Sequence, residues 1–444
     1  MRPFAPHRTA KSDAAKALVH DIAAELRAKE KRQRAPKARD QETFLATVEP
    51  VIADAIHLTL SASPDAPAWL TITRSNALLG RLSTHYRAPA LNGKLPNILD
   101  ALHTAGWIAQ RKGDRSAYAL IFTDQEGEMR ERRATTIKAG PRLLTAIVTL
   151  GITFEDLERT RGPVIVLKQA RPSRWEAAPL VSFAETAETL RLAREMESIN
   201  QGLAKADIGL ANGEQHHIDV TDRRLHRSFT QGDFRCGGRL AGGFWQNMPR
   251  ELRLSSLLIE GEPVASIDFN SFNARALYSM ARTPAPGSDL YLIAGLEEFR
   301  PGVKRFFNAL LFAGGRAQMR KPRRTPEEKR AGIVLLPDDW PADRVLAALT
   351  EKHGAISRYF GTNVGHELQR AESDILVRVL LALKRRGVTA LPLHDCVLIG
   401  RSKVEEAKRV MRDVSRAVLG NAIPTTVEGG DTSGATRRSL KSSP

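Results

Sequence analysis

The sequence has little of several features that would place it in particular protein classes. Its 444 residues include two cysteines, Cys236 and Cys396, too few for a disulfide framework or a four-thiolate zinc site. No apolar run approaches the roughly 20 residues of a membrane span. The N-terminal MRPFAPHRTAKSD also lacks the apolar core of a signal peptide. We therefore expect a cytoplasmic protein without a membrane partner.

Acidic residues are in the minority. The chain carries 67 Lys and Arg against 50 Asp and Glu, a formal net charge of +17, which favours a polyanionic partner and most often nucleic acid. Residues 1–40 hold eleven of the basic residues against five acids, and apolar residues recur there every four positions: Ala14, Leu18, Ile22 and Leu26. This pattern predicts a basic amphipathic helix that runs into a flexible arm. The arm is either simply solvated or bound to phosphate backbones.

Length and pattern predict an α+β protein of two or three domains. Residues 41–135 show three helical patterns and then two strand patterns around a Lys-Gly-Asp turn, which resembles a winged-helix domain that binds nucleic acid. Any small α+β domain is the alternative. Residues 136–224 are mostly helical and are interpreted as a linker or thumb. The Gly- and Ser-rich residues 429–444 are interpreted as a disordered tail.

Two acids stand out in the remaining segment, residues 225–428. Asp268 lies between a strand pattern and a helix pattern, so it is either a helix N-cap or a carboxylate mounted at a sheet edge. His394-Asp395 interrupts two β-rich runs, and burying such a pair costs free energy unless it faces a charged group. Together the two acids predict a two-carboxylate metal site.

A polar stripe is predicted on one helix of the same segment. Its members recur every four residues: Arg300, Lys304, Asn308 and Phe312. Two cations, an amide and an aromatic ring suit a surface that holds a triphosphate and stacks a base, although a solvated helix face fits the same spacing. The basic loop that follows, residues 316–332, is either a linker or a clamp on template phosphates.

Other polar residues give weaker indications. Glu372 lies on the apolar face of its helix, so it either points into the site or is a partly buried structural acid. Four further metal-ligand types lie close in sequence: His216, His217, His226 and Cys236. Their spacing fits no zinc pattern, and we interpret the histidines as surface residues.

In this order, the three blocks resemble motifs A, B and C of the family A DNA polymerases and the single-subunit phage-type RNA polymerases. DFNSFNAR, from Asp268 to Arg275, is similar to the motif A sequence Asp-Tyr-Ser-Gln-Ile-Glu-Leu-Arg. Motif B has Arg, then Lys four residues later, then Tyr-Gly, and it is matched by Arg300, Lys304 and Phe312. Motif C is the His-Asp pair. GGRLAGGFWQNMPRELR resembles the element before motif A, and HELQRAESD resembles the helix before motif C.

The resemblance implies a right-hand polymerase fold, with palm and small fingers over residues 225–428. It implies nucleotidyl transfer in which Asp268 and Asp395 hold two Mg²⁺ ions, with Mn²⁺ able to substitute, and Lys304 assists catalysis. The implied partners are a DNA template-primer and nucleoside triphosphates. The implied nucleotide-binding residues are Arg300, Lys304, Asn308, Phe312 and Asn273. The implied nucleic-acid-binding residues are Arg239, Gln246, Arg253, Arg275, Gln369 and His394.

Departures from the family pattern leave alternatives open. Asn273 replaces the Glu that excludes ribonucleotides in the DNA polymerases, and Phe312 lacks the Tyr hydroxyl of motif B, so sugar preference is undecided. A shift of motif B by one residue would make Arg305, Asn308 and Gly314 the matching set. The tripeptides Asp40-Gln41-Glu42 and Asp124-Gln125-Glu126 lie before the palm, and we interpret neither as the paired acidic Asp-x-Glu signature of a proofreading exonuclease. The sequence therefore favours a compact DNA-dependent DNA polymerase without proofreading, suited to a phage, plasmid or other mobile element. A single-subunit RNA polymerase or primase is one alternative, and a non-catalytic replication initiator or repressor on a polymerase-like scaffold is the other.

Overall fold

Helices and short strands alternate along the chain in an α+β arrangement. The computed structural model describes residues 2–30, 37–62, 69–81, 84–113, 121–123, 129–131, 135–159, 162–172, 178–211 and 217–429. The α-helices are α1 (Asp13–Ala28), α2 (Ala38–Ser61), α3 (Asn76–Arg81), α4 (Leu95–Thr104), α5 (Pro141–Thr149), α6 (Ala187–Lys205), α7 (Arg250–Ser256), α8 (Phe272–Met280), α9 (Arg300–Phe312), α10 (Pro326–Arg330), α11 (Ala342–Lys352), α12 (Gly365–Arg385) and α13 (Val404–Leu419). The β-strands are β1 (Arg2–Pro3), β2 (Thr9–Ala10), β3 (Leu70–Thr71), β4 (Ile108–Arg111), β5 (Ile121–Thr123), β6 (Met129–Glu131), β7 (Thr136–Ala139), β8 (Leu157–Glu158), β9 (Ile165–Leu167), β10 (Ile208–Leu210), β11 (His226–Thr230), β12 (Asp233–Ala241), β13 (Leu257–Ile259), β14 (Glu262–Phe269), β15 (Ala390–Leu393), β16 (Cys396–Gly400) and β17 (Thr425–Glu428).

The chain divides into two units. The first comprises Met1–Lys205, Asn212–Phe234 and Leu240–Met248, and the second comprises Ala206–Ala211, Arg235–Arg239 and Pro249–Pro444. The main boundary therefore lies at Pro249, later than the residue 225 that we predicted. The early segment containing β10 belongs to the second unit because β10 pairs antiparallel with β13. The predicted disordered tail, apart from Gly429, lies outside the described residues.

The prediction of a flexible arm over residues 1–40 is wrong for residues 2–30. The predicted amphipathic helix is present as α1, which begins where Ser12 Oγ accepts a hydrogen bond from the Ala15 amide at 3.2 Å. Its apolar face, including Leu18, Ile22 and Leu26, is buried in the core of the first unit, where α1 packs on α2. The basic residues lie on the outer side of a core helix, which is compatible with both the charge and the burial.

Asp54 on α2 holds the N-terminal segment in place. Its side chain is fully buried and accepts hydrogen bonds from Arg2 Nη2 at 2.7 Å, Arg8 Nε at 3.2 Å and the Ala5 amide at 2.8 Å. Arg8 is itself 3% exposed and also contacts Asp219 at 3.4 Å. A buried carboxylate is tolerated only with this degree of pairing, so the network fixes the path of the first ten residues.

Within the described residues, α2 is long and apolar enough to cross a membrane by length and composition. Its most apolar stretch has a mean hydropathy of 1.3, and 67% of that stretch is buried inside the protein. The helix packs against α1, α4, α5 and β7. Its apolar character is therefore accounted for by its place in the core of the first unit.

A four-stranded sheet lies in the same unit. Its strand order is β1-β3-β7-β4, in which β7 pairs antiparallel with both β3 and β4. The strands β5 and β6, which form a separate antiparallel pair, fall between β4 and β7 in the chain. Helix α4 packs on β4, and α2 packs on β7. This arrangement packs α2 and α4 against a small sheet.

The second unit is built on a larger sheet. Its strand order is β10-β13-β14-β16-β15, and β17 also pairs with the C-terminal half of β14. The middle residues of β14 and β16 are buried, as are the apolar residues that we predicted on α12, including Leu368, Ile375 and Val379. Helices α8, α12 and α13 pack on one another, and α13 also packs on β14. The strands predicted around Asp268 and His394-Asp395 thus belong to one sheet, with β14 and β16 in its interior and β15 at one edge.

We expect Asp54→Ala to lower the free energy of unfolding of the first unit by about 3 kcal/mol. This value is at the lower end of the range for breaking a buried ion pair, because Arg8 keeps its other acidic partners. Thermal unfolding at neutral pH measures the effect. Glu42→Ala is the matched control, since Glu42 is an exposed acid on the same helix, and we expect it to change stability by less than about 0.5 kcal/mol. Equal midpoints for the two variants would contradict the anchoring role.

Candidate functional site

Strand register brings the two predicted acids together. In the β14–β16 pair, Asp268 lies directly opposite Cys396. In the β15–β16 hairpin, Leu393 pairs with Cys396, so His394 and Asp395 form the two-residue turn. Asp395 is therefore next in the chain to the residue that faces Asp268. Asp268 is not a helix N-cap, because α8 begins after it, with Ser271 at the N-cap position.

Two residues beside the acids have backbone conformations that side chains normally avoid. His394 has φ 56°, and Ser271 has φ 54° and ψ 44°. A two-residue hairpin with a positive φ at its first position usually has glycine there, so His394 costs about 1 kcal/mol or more of strain. Strain of this kind concentrates at functional sites, where a particular side chain is needed at a particular place.

Asp268 carries a buried carboxylate oxygen that no described residue satisfies. Its Oδ1 has no hydrogen-bond partner within the part of the chain that the structure describes. Burial raises the pKa of Asp268 to about 6, and the nearby charge of Asp395 raises it further, against the opposing effect of Lys304. A carboxylate in this state binds a cation favourably, and carboxylate oxygens are the ligands that Mg²⁺ prefers. The residues present therefore fit a divalent metal site.

The acids line a cavity of about 510 Å³ with a cationic wall. Asp268, His394 and Asp395 contribute to its lining, and so do Arg250 and Arg253 of α7. Arg250 Nη2 contacts both carboxylate oxygens of Glu428, at 2.5 and 2.6 Å. The cavity thus places negative groups that suit metal ions near positive groups that suit phosphates.

Cys396 lines the same cavity without acting as a metal ligand or nucleophile. Its Sγ accepts a hydrogen bond from Ser266 Oγ at 3.3 Å. Burial raises the pKa of the Cys396 thiol to about 12, and the charges of Asp268 and Asp395 act in the same direction. The thiol is therefore neutral near pH 7, whereas metal binding and nucleophilic attack require the thiolate.

The predicted polar stripe lies on one helix, α9. Arg300 Nε donates to Asp289 Oδ2 at 2.6 Å, and Lys304 is exposed. Further along, Asn308 Oδ1 accepts a hydrogen bond from Asn273 Nδ2 of α8 at 3.1 Å, so two predicted nucleotide-binding residues meet. Phe312, at the end of the stripe, is half-buried.

Tyr291 is a member of the site that the sequence did not indicate. It is 1% exposed, and its ring centroid lies 5.6 Å from the Arg300 guanidinium carbon and 5.9 Å from Lys304 Nζ. Burial raises the pKa of Tyr291 to about 12, against the opposing hydrogen bond with Ser271. The ring supports both cations of the stripe by cation–π contact. Tyr291 lies in an irregular segment with no motif, so only folding brings it to α9.

The structure also bears on the alternative register of motif B. Arg305 forms two hydrogen bonds to Glu328, at 2.9 and 2.7 Å, and these bonds lower the pKa of Glu328 to about 2. Arg305 is therefore committed to a structural ion pair with the basic loop. Lys304 is exposed and acts on the pKa of Asp268. The geometry favours the register in which Lys304, not Arg305, is the cation of the site.

Glu372 and Arg239 form an ion pair in the second unit, with Arg239 Nη2 3.2 Å from Glu372 Oε2. Glu372 is 4% exposed, and burial raises its pKa to about 7 against the opposing effect of Arg239, with Asp395 and Asp268 adding smaller upward effects. The neighbouring Ser373 Oγ donates a hydrogen bond to the Gly238 carbonyl. Two consecutive residues of α12 therefore hold the segment that carries Arg239.

The remaining predicted residues differ in their placement. Gln369 on α12 is half-buried and bonds to His366, and Arg275 on α8 has a buried Nε without a hydrogen-bond partner in the described chain. Gln246 belongs to the first unit, where its amide accepts from the Gly242 amide at 2.8 Å and donates to the Leu240 carbonyl at 3.1 Å. Its side chain is therefore used to shape its own loop.

A second group of metal-ligand types occurs in the first unit and was not predicted. His57, Asp219 and Asp222 have ligand atoms within 4.8 Å of one another. Arg8 contacts both aspartates, at 3.4 and 3.0 Å, and Arg159 contacts Asp222 at 2.5 Å. Because two guanidinium groups already neutralise these carboxylates, the cluster is a buried ion-pair network.

The histidines set aside in the sequence are not alike. His217 is exposed as predicted, whereas His216 lies outside the described residues. His226 is half-buried, and burial lowers its pKa to about 4, with Lys168 and Arg159 acting in the same direction. His226 is therefore less exposed than we predicted, because it begins strand β11 of the first unit.

Comparison with known proteins adds little to this geometry. No protein-family model matches the chain, and no curated protein matches it. Among solved structures it is similar to the POL domain of Pol1 from M. smegmatis in complex with DNA primer-template and dNTP, with 14% identity and a TM-score of 0.32, over 93% of this chain and 80% of that one. At so low a TM-score, the similarity carries no weight in assigning a function.

We expect Asp268→Asn to stabilise the metal-free protein at pH 7.5. The pKa of Asp268 is raised in the folded state, so its destabilising effect grows as the pH rises from about 4 to 6 and is complete above that range. The substitution should therefore raise the free energy of unfolding by about 1–3 kcal/mol at pH 7.5 and by almost nothing at pH 4. Thermal unfolding with a chelator present measures this. The control is Asp413→Asn, at an exposed acid of α13, and an equal gain in that variant would contradict the explanation.

Proposed function

We propose that the second unit is the palm and small fingers of a template-directed nucleotidyltransferase, most specifically a compact DNA-dependent DNA polymerase without proofreading. The observation that carries the proposal is the strand register that places Asp268 and Asp395 at one cavity. The order of the three motif-like blocks supports it, and so does the excess of basic residues. Replication of a phage, plasmid or other mobile element suits a chain with these parts.

Asp268 and Asp395 would hold two Mg²⁺ ions, with Mn²⁺ able to substitute, since the buried Oδ1 of Asp268 has no partner in the described chain. Such ions lower the pKa of a primer 3′-hydroxyl and neutralise the departing pyrophosphate. His394, held in its strained turn beside Asp395, would orient the primer terminus. The neutral thiol of Cys396 keeps a competing negative charge out of the site.

The two cations of α9 would bind and stabilise phosphate groups. Lys304 is the exposed cation that acts on Asp268, so it would stabilise the charge that develops on the transferred phosphoryl group. Arg300 would hold the triphosphate beside it. Phe312 would stack on the incoming base, and the Asn273–Asn308 pair would contact the sugar.

Arg239 would contact the primer–template duplex. Glu372 and Ser373 fix its position from α12, and the guanidinium group has further donors for a phosphate or a base edge. Gln369 would contact the duplex from the same helix. Arg253, Arg275 and the basic loop 316–332 would add contacts to the phosphate backbone, and residues 136–224 would serve as linker or thumb.

Labelled-nucleotide incorporation on a primed template tests the proposal. Wild type should extend the primer in Mg²⁺, and Asp268→Ala and Asp395→Ala should reduce extension to background because each removes a metal-binding carboxylate. Asp413→Ala, which removes an exposed acid far along the chain on α13, should extend the primer like wild type. Inactivity of wild type with both kinds of sugar, or full activity of either active-site variant, would overturn the proposal.

A single-subunit RNA polymerase or primase is the alternative that a specific observation supports. The gate position carries Asn273, a short amide held by Asn308, in place of a longer acid. Extension with ribonucleotides in place of deoxynucleotides would favour the RNA polymerase, and synthesis without a primer would favour the primase. DNA binding without any incorporation would favour the non-catalytic initiator or repressor, although a buried Asp268 oxygen without a partner in the described chain is hard to explain on such a scaffold.

We expect Lys304→Ala to lower kcat/KM for the incoming nucleotide by about 100-fold or more, because it removes a cation positioned at the developing charge. Arg305→Ala should lower it less than about 5-fold, since Arg305 is occupied by Glu328. Single-nucleotide incorporation kinetics measure both. The reverse ranking would show that motif B is shifted by one residue.

A further inference from the structure

The order of strands and helices in the first unit is typical of domains that bind duplex DNA. Along the chain come helix α2, strand β3, helices α3 and α4, strand β4, the β5–β6 pair and strand β7. In the sheet, β7 lies between β3 and β4 and is antiparallel to both. A strand, two helices and a hairpin that closes against the first strand make a winged helix, in which the second of these helices enters a DNA groove. We propose that residues 38–139 bind duplex DNA, with α4 in the major groove, at a site separate from the acidic cavity.

The two faces of α4 suit this role. One face buries Leu95, Ile98, Leu99 and Leu102 in the core of the unit. The exposed residues of α4 are Asn97, His103 and Thr104, and Asp100 and Ala101 are half-buried beside them. Polar side chains on the exposed part of a helix can bond to base edges in the major groove. Asn can bond to adenine by two hydrogen bonds, and the Thr methyl group can contact the thymine methyl.

One carboxylate fixes two cations beside the exposed residues of α4. Asp100 of α4 accepts hydrogen bonds from Arg74 at 2.8 and 2.7 Å, and Lys112 Nζ lies 3.1 Å from it. Gln110 Nε2 donates to the same carboxylate at 2.8 Å. The Arg74 guanidinium holds the pKa of Asp100 well below its usual range, so the acid stays ionised.

The cluster has two positive charges for one negative charge, and it joins three elements. Arg74 precedes α3, Asp100 lies on α4, and Lys112 follows β4 at the base of the β5–β6 segment. Lys112 is 61% exposed, so its ammonium group remains accessible to a phosphate. Two cations held beside the exposed face of a helix complement the phosphates that flank a groove, and duplex DNA is therefore the occupant that the surface fits.

The full-length chain and a covalently closed 20-base-pair DNA dumbbell test the proposal, because a duplex without ends offers no primer terminus to the acidic cavity. Fluorescence anisotropy over a range of salt concentrations gives the affinity and its salt slope. We expect Arg74→Ala with Lys112→Ala to weaken binding about 10-fold and to reduce the slope of log K against log salt by about 2, close to one unit for each lost phosphate contact.

Lys29→Ala is the matched control. Lys29 is also 61% exposed and also pairs with one carboxylate, Glu25 at 2.6 Å, but it lies on α1. It should bind the dumbbell like wild type. Lys112→Ala alone guards against a folding defect from loss of Arg74, and it should reduce the salt slope by about 1. The proposal would be overturned if Lys112→Ala and the double variant bound the dumbbell as tightly as Lys29→Ala does. Tighter binding of a single strand than of the dumbbell would overturn it as well.

The dumbbell-binding test can succeed or fail independently of the proposed catalytic function. Asp413→Ala should bind the dumbbell like wild type, because Asp413 is an exposed acid of the second unit. A wild-type chain that incorporates no nucleotide but loses dumbbell affinity on the Lys112 substitution would support this site and overturn the polymerase proposal. If the chain incorporates nucleotides and the Lys112 substitution has no effect on dumbbell binding, the polymerase proposal is supported and this site is overturned.

Discussion

The candidate site depends on one backbone constraint, the antiparallel register of β14 against β16. Hydrogen bonding between the strands sets Asp268 opposite Cys396, and the tight hairpin to β15 leaves Asp395 beside that position. A slip of one residue would turn Asp268 to the other face of the sheet, because successive side chains alternate between faces. The two carboxylates therefore meet only if the whole pairing from Val264 to Asp268 is in register.

This register is maintained at a cost in stability at the site itself. The buried oxygen of Asp268 lacks a partner in the described chain, and His394 adopts a left-handed backbone conformation. The surrounding sheet offsets both effects, since Val264, Ile267 and Val397 are fully buried. An apolar sheet that presents one unsatisfied carboxylate oxygen favours the binding of a cation at that point.

Paired buried charges elsewhere show the contrast. The Asp54 side chain is fully buried, but three residues of the N-terminal segment donate hydrogen bonds to it, and its role is to fix that segment. Glu372 is an intermediate case. It is paired with Arg239, yet burial and the charges of the two cavity acids raise its pKa to about 7. The degree of pairing therefore separates structural acids from those of the candidate site.

Local pattern in the sequence was sufficient for several elements. The helix of residues 300–312, its polar stripe and the His394-Asp395 hairpin all follow from periodicity, which depends on a few neighbouring residues. The amphipathic helix near the N-terminus was likewise predicted, but its packing was not, because charge alone does not show whether an apolar face finds a core. Pairing of β10 with β13 likewise joins distant parts of the chain, so Ala206–Ala211 belongs to the second unit although the residues on both sides of it in the chain belong to the first.

The sequence by itself determined which chemical groups are available: two acids in strand–turn contexts, a cationic helix face and a basic chain. Only the tertiary structure decided which groups meet. It brought Tyr291 under Arg300 and Lys304, assigned Arg305 to Glu328, and placed Gln246 in the first unit. The contacts of Tyr291 and Arg305 join residues that are 9 to 23 positions apart. No local periodicity encodes them, because they arise when separate elements pack against one another.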